Sequence, residues 1–188
     1  IEINSETDFV AKNKDFISFC KEISELNFQN KSVIEKLKLS KMKNHKTVDE
    51  NLITLISKIG EKITIRRAKY FDNNGINFSY IHNSLENNIG KVVSIIQLNK
   101  TNNKNLKDLG TKLAMHIAAQ APISIDEKGI NKEILDKELE IINEELKNSG
   151  KKTEMIEKIS KGKIKKFISE NTLLDQLWIM DTKKKFLK

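Results

Sequence analysis

One cysteine and one proline are all that 188 residues contain, alongside seven glycines and 6% aromatic residues. A lone thiol, Cys20, cannot close an intramolecular disulfide, which suits a reducing compartment without demanding one. No apolar run approaches the ~20 residues of a membrane-spanning helix, so a soluble chain without membrane contact is expected. The phosphate-cradling patterns G-x-x-x-x-G-K-[ST] and G-x-G-x-x-G are missing, so no direct nucleotide binding is expected. His45, His82 and His116 stand far apart, with no HExxH or CxxC spacing, so neither a metal site nor a cofactor is expected. Cys20 lies in an apolar stripe and reads as a packed thiol, not as half of a Cys–His nucleophile pair. His116, between Met115 and Ile117, reads as a helix-surface or packing residue. With no catalytic residues to assign, the chain is expected not to be an enzyme.

What is present is 38% hydrophobic residues, enough for one sizeable core or two small ones. The net charge of +8 invites a nucleic-acid reading. Yet Arg66 and Arg67 are the only arginines, and acidic residues are interleaved with the lysines almost everywhere. Nor do aromatics alternate with basic residues as a base-stacking surface requires. A solvated lysine-rich surface, or one that meets an acidic protein, accounts for the charge with no specific nucleic acid. A basic RNA- or ribosome-associated domain remains the alternative.

Ile1 opens the chain inside a predicted strand, "IEIN" (1–4), and not at a methionine, which reads as part of a longer chain. The stretch "SETDFVAKNKDF" comes next. Phe16, Phe19, Cys20, Ile23 and Leu26 form the stripe of a helix with one buried face. Phe9 precedes that stripe, with the polar Lys12-Asn13-Lys14-Asp15 between, so it is either tucked locally or pushed outward. Ser5 and Asp8 fit a capping box, although Thr7 or Asp8 could cap instead. With Ser5 as cap, the staple partner of Phe9 is the polar Asn4, which disfavours a local staple.

Helices are expected at 32–39 and at 47–59, the latter ended by Gly60. Three strand candidates at 62–71, 76–83 and 91–98, with Asn73-Asn74-Gly75 as a hairpin signal, predict an antiparallel meander. Helix returns at 106–121, stopped by Pro122. In 131–148, Leu135, Leu139, Ile142 and Leu146 make a narrow seam, and 153–169 supplies its partner across Asn148-Ser149-Gly150. "LLDQLWIM" (173–180) reads as an apolar, extended segment before a basic tail. The fold class is α+β: two small subdomains of antiparallel sheet packed by helices, with a protruding coiled-coil hairpin. Residues 1–100 form one subdomain, 101–130 with 171–188 the other, and 131–170 the hairpin.

Together these segments resemble the elongation factor Ts family. "INSETDFVAKNKDF" is similar to its short strand followed by N-x-x-T-D-F-V-A, and "LISKIGEKITIRR" to its I-G-E-N-I stretch with paired arginines. "SYIHN…NIGKVVSI" resembles its Y-x-H…x-I-G-V-L-V strand pair, and "LAMHIAAQAP" its A-M-H-I-A-A helix before proline. "LEIINEELKNSGKKTEMIEKISKGKIKKF" resembles its coiled-coil hairpin, and "LLDQLWIMD" its L-x-x-Q-P-F-V-x-D segment. The likeness covers nearly the whole chain, in one order. Departures are the lost proline in Gln176-Leu177-Trp178-Ile179 and Ser5 in place of a family cysteine.

The resemblance implies a guanine-nucleotide exchange factor for elongation factor Tu in translation, working in a bacterial cytoplasm or an organellar matrix. By position, Thr7, Asp8, Phe9 and Val10 inherit the family's contact at the magnesium side of the partner's nucleotide pocket, with Phe9 as the wedge. Ile59 and Gly60, His82, and Ile179 with Met180 inherit the further partner contacts. The family pattern also includes a small helical domain before the first strand and a last strand beyond Lys188, neither found here.

Overall fold

The computed structural model describes residues 1–149 and 153–181 of an α+β chain with two small antiparallel sheets packed against helices. The residues divide into two compact units, Ile1–Asn77 with Ile81–Lys91 and Gln97–Lys100, and Phe78–Tyr80 with Val92–Ile96 and Thr101–Lys188.

In the first unit, β1 (Glu2–Asn4) pairs antiparallel with β2 (Thr64–Arg67), Ile3 opposite Ile65. Glu2 clamps the pair by accepting from Arg66 and Arg67, and the Arg66 bond holds its carboxyl below the usual range. Between the two strands the chain forms four helices: α1 (Asp8–Ala11), α2 (Lys14–Asn30), α3 (Ile34–Leu39) and α4 (Val48–Ile59). Lys12 and Asn13 separate α1 from α2. Asn13 has extended backbone, and its side chain accepts from the N–H groups of Asp15 and Phe16, capping α2. Ser5 therefore caps nothing; α1 begins after Thr7. Thr47 and Glu50 form a reciprocal capping box on α4, whose far end closes on Gly60 at φ 79°.

The predicted α2 stripe is buried at Phe16, Phe19, Cys20 and Ile23, packed with Leu37, Val48, Leu55, Ile63 and Ile65. Ile23, Leu37 and Val48 lose all their exposure. Each such side chain contributes roughly 1.5–3 kcal/mol on leaving water.

The predicted meander does not form. Among the described residues β2 pairs with β1, while β3 (Ile76–Glu86) pairs with β4 (Ile89–Leu98), and Asn73-Asn74-Gly75 joins strands of different sheets. A strand's hydrogen-bonding edge can be filled from any part of the chain, and the N-terminal strand fills that of β2.

In the second unit, α5 (Leu106–Gln120) approaches the β3 residue Phe78 so closely at Gly110 that a Cβ there would overlap the ring. Ser94 donates to the buried carbonyl of Ala114. A helical hairpin comes next, α6 (Lys132–Asn148) against α7 (Thr153–Asn171). Its seam buries Ile142, Leu146 and Ile156, and Ser160 donates to Asn143 at 2.6 Å beside it. Leu139, placed in the seam by spacing, is 36% exposed. Gly150, the centre of the expected turn, and the basic tail after Asp181 lie outside the described residues.

The 173–180 segment is not extended. Thr172 bridges Ser124, and from there the chain runs through a series of turns, with Leu173 and Leu174 donating to the carbonyls of Ser124 and Ile125.

Candidate functional site

Around α1 the first unit sets one aromatic side chain outward. A four-residue helix turns about 100° per residue, so neighbours on it face different ways. Val10 points inward, 3% exposed and part of the core, while Phe9 points outward, 85% exposed. Of the four residues T-D-F-V, Val10 anchors and Phe9 is displayed.

The tether that orients this helix is polar. Thr7, in the cap position, makes no side-chain cap bond to its own helix. Its N–H donates instead to Glu61 at 3.0 Å and its hydroxyl donates to the same carboxylate at 2.8 Å. In return the Lys62 N–H donates to Glu6 at 3.2 Å. This crossed pair joins the approach to Phe9 to the turn just after α4, so Ile59 and Gly60 are drawn to the same place. Gly60 is exposed and Ile59 half-buried against the core.

Asp8 pairs with Lys91 of β4 at 2.7 Å, and that bond holds its carboxyl below the usual carboxylate range. Beside Lys91, the Gly90 backbone comes so near Ile81 and His82 of β3 that a side chain at 90 would collide with them. His82 is exposed on β3, with its carbonyl oxygen against Gly90. Ile179 and Met180 belong to the second unit, where Met180 is 43% exposed and Ile179 half-buried.

Sequence reasoning missed the groups that tie the first-unit residues in place, Glu61, Glu6 and Lys91; His116, given as a helix-surface or packing residue, is fully buried. Glu61 directly follows the Ile59-Gly60 pair, a local hint. Lys91 is one lysine among many, and only folding sets it beside Asp8. Among the described residues, no group of three or more His, Cys, Asp or Glu side chains is arranged to hold a metal, and no helix is long and apolar enough to cross a membrane.

Fold and site define an α+β protein with a helical hairpin that displays Phe9 on the short helix α1 and Gly60 at the end of α4. A family model described as elongation factor TS matches residues 6–188. Among curated proteins, elongation factor Ts of Rickettsia bellii is 37% identical over 186 residues, covering 97% of this chain and 60% of the relative. Its counterpart in Gluconobacter oxydans is 34% identical, covering 100% of this chain and 63% of the relative. That of Rickettsia prowazekii is 38% identical, covering 97% and 60%. The chain belongs to the elongation factor Ts family. It spans about 60% of the length of these relatives.

Proposed function

We propose that this chain acts in translation elongation as a guanine-nucleotide exchange factor that binds elongation factor Tu carrying GDP and promotes GDP release. The observation that carries the reading is Phe9, 85% exposed next to the 3% exposed Val10. A phenylalanine left in water adds nothing to folding, whereas inserted into a partner it can act as a hot-spot anchor.

Phe9 is the wedge, entering between partner side chains and displacing the groups that hold the partner's magnesium. That ion is the largest local charge in such a site and helps order the switch regions, so dislodging it loosens the nucleotide. Thr7 and Asp8 direct the wedge, Ile59, Gly60 and His82 meet the partner beside it, and Ile179 with Met180 make a separate contact. The factor makes and breaks no covalent bond and holds no nucleotide itself, and it works in a bacterial cytoplasm or an organellar matrix. Exchange then rests on coupling. Whatever factor weakens GDP in the complex weakens the exchange factor by the same factor when GDP is bound, about 1.4 kcal/mol per tenfold.

The test is release of fluorescent GDP from elongation factor Tu into excess unlabelled GDP. The chain is expected to accelerate release, and Phe9→Ala to lose about thirtyfold of that acceleration, a hot-spot loss of roughly 2 kcal/mol, with its fold intact. Equal acceleration by both proteins rejects the wedge. If the chain leaves release unchanged but binds RNA with steeply salt-dependent affinity, the exchange reading itself is wrong.

A further inference from the structure

The segment carrying Ile179 and Met180 runs through turns, with a single β-bridge position at Leu177. It packs against His116, which is fully buried on α5. The Ile179 N–H donates to Nδ1 of His116 at 3.3 Å. Since an amide N–H can only donate, Nδ1 must be the unprotonated nitrogen, and the ring proton sits on Nε2. Nε2 then donates to Oε1 of Gln176 at 3.1 Å. That orients the Gln176 amide, whose nitrogen donates to the carbonyls of Glu170 at 2.8 Å and Gln120 at 3.2 Å. Flipping the amide would set its oxygen against two carbonyls and its NH2 against the Nε2–H, so one arrangement satisfies every member. Trp178 stacks on the imidazole with ring centroids 5.1 Å apart. Three of four consecutive residues, Gln176, Trp178 and Ile179, are thus attached to one side chain, while Leu177 and Met180 face solvent at 56% and 43% exposure.

We propose that His116, acting through Gln176 and the Ile179 amide, is the positioning residue for the second partner contact, setting Ile179 and Met180 in the orientation that docks. The proposal rests on the exchange reading. An apolar pair of the same shape could fill this space with little loss of stability, whereas a fully satisfied buried network selects one backbone conformation.

The experiment measures GDP release from elongation factor Tu across a range of concentrations of the full chain, comparing wild type with His116→Phe and Gln176→Leu. Both variants keep the bulk and lose the bonds. His116→Phe is expected to raise the half-saturating concentration about tenfold, the cost of one or two net hydrogen bonds, while the saturating release rate stays at the wild-type level. In a nitrogen-15 spectrum the Ile179 amide should shift and the Phe9 amide should not. Should His116→Phe fail to fold, Gln176→Leu carries the same expectations. An unchanged half-saturating concentration, an unmoved Ile179 amide, or loss of fold in both variants overturns the proposal. Failure of the exchange reading looks different, because the wild-type chain then accelerates nothing at any concentration.

Discussion

Phe9 and Val10 show how one residue step separates two kinds of work. Val10 is held by the core and Phe9 by nothing in the core, so substitutions at the two positions should affect different measurements. Val10→Ala removes buried methyl groups and should lower stability by about 1–2 kcal/mol in denaturant unfolding. Phe9→Ala should leave the unfolding midpoint in place. Glu61 lies between these extremes. Its bonds to Thr7 are exposed to water, so Glu61→Ala should cost no more than about 1 kcal/mol of stability, yet exchange should fall because the wedge is no longer directed. The pair of Asp8 with Lys91 offers a direct titration. Lys91→Ala removes the bond that holds the Asp8 carboxyl low, and its pKa, followed by NMR, should rise toward the ordinary aspartate range.

Elements meet in this chain through small residues used in opposite ways. Gly110 lets α5 lie directly on Phe78, whereas a Cβ at Gly162 of α7 would meet no described atom within 4 Å beyond its own helix backbone. Gly110→Ala should therefore destabilise by roughly 1–3 kcal/mol through overpacking. Gly162→Ala should stabilise by up to about 1 kcal/mol through helix propensity. Thermal unfolding of the two variants checks the opposite signs. The α6–α7 hairpin shows a related economy. Its apolar seam is short, and the bond between Ser160 and Asn143 beside it penalises a slipped register, since a slip would leave the buried Ser160 without its partner.

For the molecule as a whole, pH separates the two units. His116 is buried as the neutral imidazole, and burial lowers its pKa below the ordinary value of about 6.5. The unfolded chain then binds the proton more readily, so this contribution is complete above about pH 6.5 and is lost as pH falls below it. Glu2 has its carboxyl lowered by Arg66, so its contribution is complete above the ordinary glutamate range and is lost only in stronger acid. Stability measured from pH 7 downward should thus fall first in the second unit, and His116→Phe should flatten that first decline. Cys20 reports on the first unit. Burial pushes its thiol up to about 12, so alkylation at pH 8 should proceed only through opening of the core and keep pace with unfolding of that unit.

Local order is what the sequence determined by itself. The α2 stripe and the Gly60 stop depend on residues a few positions apart, and the α6–α7 pairing on two apolar stripes joined by one short turn, so spacing records them. The family likeness belongs to the same level, because its motifs are short segments in a common order. Tertiary structure alone decided which strand pairs with β2, which carboxylate receives Thr7, and what surrounds His116. In each case the partners lie dozens of residues apart, and several lysines, glutamates or strand edges were chemically equivalent candidates. Backbone donors and acceptors are the same in every strand, and a carboxylate accepts from any N–H within reach. The choice among equals is made when the cores close and leave a single partner at bonding distance.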